Sequence, residues 1–382
     1  MKVISQIKLN PDLAQAQALK ATLEQINLAC NQISEVAWNE KLFQQVSLHR
    51  RVYRRVREKF GLSAQVVVRC IAKVVDAYRL DKKTQRSFKK HGSLAYDARI
   101  LTYFQNKKEV SIWVLGLGRI KIPYCAGKRQ LRFLQYQQGE SDLVYRDGSW
   151  YLHACCNVEE PEPDKTEDVL GVDLGVNNIA VTSDGKRVAS KSVEENRVWY
   201  RDRRKVLQEV GTKSSRRRLK QLSGRQANFQ RDVNHRISKE LVVLAKRTKR
   251  AIALEDLKGI GSRTRVRGRD NRARHSNWSF FQLRSFVEYK AKGIGVPVVL
   301  VDPHYTSQRC NRCGHTERAN RRDQATFRCR SCGHESNADV NGASNIRDLG
   351  ALNLKLSKGQ RQLAYGPDGN VRDKPLPLGR GS

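Results

Sequence analysis

The chain has 382 residues and a formal charge of +35, from 73 Lys and Arg against 38 Asp and Glu, with a pI near 10.2. At roughly 100–200 residues per domain this length calls for two or three domains, and an excess so large, spread along the whole chain, points to a partner carrying many phosphates. No apolar run reaches the ~18 residues of a membrane span, and MKVISQIKLNPDLAQAQ lacks the apolar centre of a signal peptide, so the expectation is a cytoplasmic, nucleic-acid-binding protein with no membrane partner.

Residues 11–78 read as largely helical, with few glycines and with Leu19, Leu23, Ile26, Cys30 and Ile33 at helical spacing. From about Leu94 to Glu160 the texture changes to short alternating runs, VSIWVLG, GRIKIPY and SDLVYRDGSWYLHACCNV, with turns expected around Gly127 and at Asp147-Gly148. This predicts an antiparallel barrel or sheet. EEPEPDK, at residues 159–165, is acidic and proline-rich and reads as a linker between domains. After about Leu354 periodicity is lost, and GPDGN and PLPLGRGS read as a disordered tail.

Between these ends, DVLGVDLGVNNIAVTSDGKRVAS predicts a three-stranded meander that turns at Ser183-Asp184-Gly185. Val172 and Leu174 face one side and Asp173 the other, so an apolar strand presents a single carboxylate. Such an acid is costly unless something satisfies it, and metal coordination is one way. A polar stretch follows, ending in a helix with Val233, Ile237, Leu241 and Leu244 on one stripe. RAIALEDLKGI is then a strand ending in Glu255, GVPVVLVDP another buried strand, and SNADVNGASNI the start of a helix carrying Asp339. Asp256 faces away from Glu255 on an extended chain and is left out of the site.

Three acids so placed are what phosphodiester hydrolysis by two cations about 3.5–4 Å apart requires. All-oxygen donors suit Mg²⁺ or Mn²⁺. The competing reading is that Glu255 is a solvated strand-end residue and that Asp339 caps its helix.

Cys310, Cys313, Cys329 and Cys332 form a C-x₂-C pair repeated after 15 residues, the spacing of a structural Zn²⁺ ribbon. Gly314 and Gly333 supply the permissive backbone of each knuckle, His315 and His334 are surplus to a four-cysteine set, and Phe327 is the expected core of the module. Cys30, Cys70, Cys125, Cys155 and Cys156 have no ligand spacing and read as buried small hydrophobes in a reducing compartment.

In this order, GVDLGVNNIAVTSDG, NHRISKELV, IALEDLKGI, YKAKGIGVPVVLVDPHYTSQRCNRCG and FRCRSCGHESNADVNGASNI resemble the TnpB family of insertion-sequence-associated RNA-guided DNA nucleases, and type V CRISPR effectors over the same segments. The resemblance covers residues 167–348. It implies a multidomain α+β protein in which N-terminal helical and β-barrel recognition and wedge modules precede a RuvC-like RNase H fold with an inserted zinc ribbon. By analogy of order, residues 1–10 would be the first wedge strand, 11–93 the helical recognition module and 94–160 the β-rich wedge. Residues 167–303 would be the RuvC-like nuclease, 304–335 the ribbon, 336–350 the last nuclease segment and 351–382 the tail. The implied catalytic and Mg²⁺-binding acids are Asp173, Glu255 and Asp339. The implied partners are a guide RNA and double-stranded target DNA with a short adjacent motif, both strands being cut at one site.

Arginine-rich segments fit a positively charged channel for a nucleic-acid backbone, notably Arg216, Arg217 and Arg218 and, further on, Arg265, Arg267 and Arg269. Trp278, Phe280 and Phe281 either stack on a displaced base or anchor a helix to the sheet. Two other functions remain open at this point: an RNA-guided DNA-binding repressor that does not need cleavage, and an unguided RNase H-like nuclease.

Overall fold

The computed structural model describes residues 1–257, 280–323 and 325–356. The chain divides into two compact units, Met1–Glu159 and Glu160–Ser382, the division falling at the start of the acidic, proline-rich stretch.

In the first unit, strand β1 (Lys2–Leu9) leads into three helices, α1 (Leu13–Asn39), α2 (Gln45–Phe60) and α3 (Ala64–Leu80). Asp12 starts α1 with a reciprocal cap: its carboxylate accepts from the Gln15 amide at 2.8 Å, and the Gln15 side chain accepts from the Asp12 amide at 3.1 Å. Leu19, Leu23, Ile26, Cys30 and Ile33 are fully buried, in one core with Leu48, Val52 and Val56 of α2 and Cys70, Ile71 and Val74 of α3.

The β-rich part forms one seven-stranded antiparallel sheet from β1, β2 (Leu94–Tyr96), β3 (Leu101–Phe104), β4 (Glu109–Val114), β5 (Gly118–Cys125), β6 (Gln137–Arg146) and β7 (Ser149–Asn157), in the order β2-β6-β7-β1-β5-β4-β3. Its edge strands β2 and β3 are consecutive in sequence and joined by residues 97–100, so the sheet must curl until its edges approach, and it is nearly closed. β1 sits in the middle, paired along its length with β7 from Lys2↔Asn157 to Leu9↔Trp150.

Two expectations need correction here. Residues around Gly127 make no tight turn; Gly127 instead precedes a short helix, α4 (Lys128–Leu134). Of the five unpatterned cysteines, Cys30, Cys70 and Cys156 are buried, but Cys125 is exposed and Cys155 half-buried. Strand alternation is the reason: Tyr124 and Cys156 point into the core, which turns their neighbours Cys125 and Cys155 outward.

The second unit is built on a five-stranded sheet in the order β10-β9-β8-β11-β12. β8 (Val169–Asp173), β9 (Asn178–Thr182) and β10 (Arg187–Ala189) form an antiparallel meander, while β11 (Ala251–Glu255) and β12 (Val298–Val301) run parallel to β8. The polar stretch between β10 and β11 holds two long helices rather than one, α5 (Lys191–Val210) and α6 (Lys213–Arg247). α7 (Phe280–Lys292) and α8 (Ala338–Lys355) pack on this sheet, α8 running on past the expected segment end at residue 350. The rest of the expected tail, from residue 357, lies outside the described residues.

Alternation along the central strands sorts their side chains to two faces. Leu170, Val172, Ile252 and Leu254 pack with Val233, Ile237 and Leu241 of α6 and Leu283, Val287 and Ala291 of α7, with Leu244 partly buried at the edge. Val169, Ala251, Ala253 and Val301 face the other way and pack with Ile346 of α8. That second face is kept flat so the helix can lie on it. A Cβ on Gly171 would stand 2.0 Å from the Ala343 carbonyl oxygen, and one on Gly350 2.5 Å from the Ala253 Cβ. Among the described residues no helix is long and apolar enough to cross a membrane.

Candidate functional site

Asp173 and Glu255 are the last residues of β8 and β11. These strands are parallel neighbours in the register Ala251↔Val169 to Leu254↔Val172, so continuing the register by one residue sets Glu255 beside Asp173. Both belong to the face that α8 covers, because they follow Val169, Gly171, Ala251 and Ala253 at steps of two. Asp339 comes to the same place from α8, whose first turn it occupies after the Asn337 N-cap. The crossing is close: a Cβ on Gly342, one turn further along α8, would lie 3.2 Å from the Asp173 carboxylate. Three acids far apart in sequence are thus gathered at one end of the sheet.

Their electrostatics report the crowding. Burial, then the negative charge of Asp339, pushes Asp173 up to about 6; Arg321 and the Leu174 amide pull against this. Burial, then Asp173 and Asp302, pushes Glu255 up to about 8, against a hydrogen bond from Thr306. Holding either group as a carboxylate has a cost that a cation would relieve. The acids are more loosely grouped than the cysteines: among the described residues, only the four cysteines bring one ligand atom each within 4.8 Å of all the others.

Several neighbours orient the acids. The Thr306 hydroxyl donates to Glu255 Oε1 at 2.5 Å, and the Asn178 amide donates to Asp339 Oδ2 at 2.8 Å. Arg321 Nη2 lies 3.4 Å from Asp339 Oδ1. Asn345 of α8 donates to the Thr306 carbonyl at 2.8 Å and the Arg309 carbonyl at 2.7 Å, and Asn341 donates to Arg309 at 2.8 Å. The helix that carries one acid therefore holds the loop that orients another. Sequence reasoning named none of Asn178, Thr306, Arg321, Asn341 and Asn345. Asn341 and Asn345 carried a signal, two asparagines at i and i+4 in a segment expected to be helical, and the structure buries both. Asp256, left out on grounds of alternation, pairs instead with Arg284 Nη1 at 2.5 Å.

The four cysteines converge. Cys310 and Cys332 sulfurs are 3.8 Å apart and those of Cys313 and Cys329 3.6 Å, close to the roughly 3.8 Å edge of a tetrahedron with 2.3 Å Zn–S bonds. The two knuckles repeat one geometry: Gly314 and Gly333 have φ of 79° and 71°, and their amides donate back to Cys310 and Cys329 at 2.9 and 3.1 Å. His315 pairs with Glu317 at 3.1 Å. Phe327 is fully buried with Cys310, Cys329 and Ala338, the first residue of α8. The short strands β13 (Thr326–Arg328) and β14 (Glu335–Asn337) then lead directly into the turn that bears Asp339. This cluster is compatible with a zinc ribbon.

Arg216, Arg217 and Arg218 are exposed on α6. Arg265, Arg267, Arg269 and Trp278 lie outside the described residues. Phe280 packs against the α6 and α7 core, whereas Phe281 is 73% exposed.

Residues 153–260 match a family model described as "Probable transposase", and residues 280–346 match one described as "Cas12f1-like, TNB domain". The chain is 33% identical over 265 residues to the CRISPR-associated endodeoxyribonuclease Cas12f1 of Sulfoacidibacillus thermotolerans, an alignment covering 63% of this chain and 59% of the relative. It is 29% identical over 165 residues to TnpB-like protein MJ0751 of Methanocaldococcus jannaschii, covering 40% and 59% respectively. Among solved structures, the Cas12f1-sgRNA-target DNA complex contains a chain matched with a TM-score of 0.58 at 14% identity, over 87% of this chain and 83% of that one, which establishes a shared multidomain α+β fold. The chain is related to the TnpB and Cas12f proteins. It spans about three fifths of the length of the two relatives aligned by sequence.

Proposed function

We propose that the chain is an RNA-guided DNA endonuclease whose RuvC-like, RNase H-type half hydrolyses both strands of target DNA at one site formed by Asp173, Glu255 and Asp339. The observation that carries this reading is the meeting of those three acids at the ends of β8 and β11 and the start of α8. The sheet supports it too: an antiparallel meander followed by two strands parallel to its first is the RNase H arrangement that the sequence resemblance implies. Relatives named as CRISPR-associated endodeoxyribonucleases supply the substrate class. The charge of +35 supplies the means of holding it.

The residues fit divalent cations, since the donor set is all carboxylate and two of its members are pushed upward by burial and mutual repulsion. Asp173, Glu255 and Asp339 would hold Mg²⁺ or Mn²⁺. When bound, such ions activate water at neutral pH and offset charge on the leaving oxygen. The protein's own groups set the stage. Thr306 fixes one oxygen of Glu255 and leaves the other to face the cations, while Asn178 donates to Asp339 Oδ2 and Arg321 lies beside its Oδ1. Arg321 adds a positive charge beside Asp339. Cys310, Cys313, Cys329 and Cys332 would hold a structural Zn²⁺ and so fix the entry into α8.

The test is to express the chain with its native flanking DNA, sequence the RNA that copurifies, and challenge the complex with plasmid matching the variable RNA end. Mg²⁺-dependent double-strand cutting that disappears in Asp339→Ala, with DNA binding retained, is the expected result. Binding without cutting would favour the repressor, and cutting without a discrete RNA the unguided nuclease.

A further inference from the structure

The helical hairpin of α5 and α6 outgrows the core it is rooted in. Its sheet-packed residues end at Val193 on α5 and resume at Phe229 and Val233 on α6, while the hairpin turns at Gly211. From Val193 to Val210 the free arm is about 25 Å long at 1.5 Å per residue. Along it the two helices enclose a groove of about 630 Å³. Trp199, Val206 and Val210 of α5 line it although 53%, 51% and 58% exposed, and the buried Leu222 of α6 lies beneath them. The exposed Arg203, Arg218 and Arg225 also line it, and the lining contains no carboxylate. None of these three arginines has an ion pair or hydrogen bond among the described residues, whereas the adjacent Arg204 is engaged with Gln226 at 2.7 Å and Arg201 with Asp202 at 2.9 Å.

An exposed indole over an apolar floor, ringed by uncommitted guanidinium groups, matches an unstacked base and the phosphates on either side of it. Charge rules out a second copy of this chain, because the lining is cationic and the chain itself carries +35. Duplex DNA does not fit either, since its bases are stacked away from such a floor. Thr212, Ser214 and Gln221 add hydroxyl and amide groups at the same lip, which suit the 2′-hydroxyls of RNA. The distance from the sheet further separates the groove from a strand being cut.

We propose that this groove binds an unpaired loop of the RNA partner, with one base stacked on Trp199 and its flanking phosphates held by Arg203, Arg218 and Arg225. The assignment rests on the RNA partnership proposed above and gives it a place on the protein. The hairpin then works as an anchoring arm for the RNA scaffold, apart from the acids that do the chemistry.

The test uses the full chain, freed of copurifying RNA, and three fluorescein-labelled probes: a 20-nucleotide unstructured RNA, the same sequence as single-stranded DNA, and a 20-base-pair DNA duplex. Trp199→Ala should weaken binding of the RNA by about tenfold, the scale of one stacked base, with duplex affinity unchanged. Trp199→Tyr should restore most of the loss, and native melting temperatures would confirm that both variants are folded. Ultraviolet crosslinking should join the RNA to the peptide bearing Trp199. Unchanged RNA affinity in Trp199→Ala and in Arg218→Glu/Arg225→Glu would overturn the assignment, as would a larger loss on single-stranded DNA than on RNA. Because the readout is affinity, a native result here leaves the nuclease proposal standing, and an inactive nuclease would leave this result interpretable.

Discussion

Thr306 reaches across from the loop after β12 and donates its hydroxyl to Glu255 Oε1 at 2.5 Å, while its own carbonyl is gripped by Asn345 of the helix that carries Asp339. One threonine therefore links two of the three acids, and neither the acids nor their spacing in sequence reveals it.

Thr306→Val should preserve the fold and impair the proposed cleavage. Loss of an orienting partner behind a metal-binding carboxylate costs about 10- to 100-fold in activity or metal affinity. Single-turnover cleavage titrated with Mg²⁺ should show that loss as a higher Mg²⁺ requirement, and Thr306→Ser should largely escape it. Native cleavage by Thr306→Val at limiting Mg²⁺ would remove Thr306 from the site.

The raised acids give a pH signature in the metal-free protein. Glu255 moves from 4.5 to about 8 and Asp173 from 3.8 to about 6, so the folded chain holds protons that the unfolded chain releases. Their contribution is fully present below about pH 4 and is lost as pH rises through 6 and 8. A tenfold change in proton affinity is worth about 1.4 kcal/mol, and part of the repulsion stays with Asp173 and Asp339 when Glu255 is neutralised. Glu255→Gln should therefore stabilise the metal-free protein at pH 8 by roughly 2 kcal/mol and abolish cleavage. Thermal melts at pH 5 and pH 8 test this; an equal gain at both would disprove the linkage.

Gly171→Ala should be severe. The added methyl would meet the Ala343 carbonyl oxygen at 2.0 Å and the Arg347 amide at 2.5 Å, both backbone atoms of α8 that cannot swing aside. Overpacking of this kind costs about 1–3 kcal/mol or more. Gly185→Ala offers a contrast: nothing lies within 4 Å of its added methyl, and its φ of 84° makes backbone strain the whole cost. Melting temperatures should fall for both, with cleavage lost at the working temperature for Gly171→Ala alone.

Metal analysis should find one zinc per chain, absent in Cys310→Ser. Stripping it should lower the melting temperature, because Cys310, Cys329 and Phe327 share their small core with Ala338 at the head of α8. Removing Mg²⁺ should stop cleavage and leave that zinc-dependent stability in place. A zinc-free variant of native stability would refute the ribbon's structural role.

The parts of this molecule that were legible in sequence are those set by local periodicity. Leu19, Leu23, Ile26, Cys30 and Ile33 occupy the buried stripe of α1 that their spacing implied, and the alternation around Asp173 assigned it to the face opposite Val172. The cysteines were legible because a C-x₂-C pair repeated after 15 residues is a spacing that little else produces, and the four sulfurs do converge. What stayed hidden depends on long-range packing. Asn178, Thr306 and Arg321 meet the acids across 161, 51 and 18 residues of chain, and no local pattern marks them. The outward turn of Cys125 and Cys155 needed the inward face of the sheet to be known first.

The order of the three acids along the chain also has a consequence for synthesis. Asp173 and Asp339 are 166 residues apart (339 − 173), and α8 must dock across β8 before they meet. At about 5–20 residues per second, a ribosome makes Asp339 roughly 10–30 s after Asp173. A protein whose proposed work is to cut DNA thus emerges unarmed, and its three acids can meet only after nearly all of its described residues have been translated.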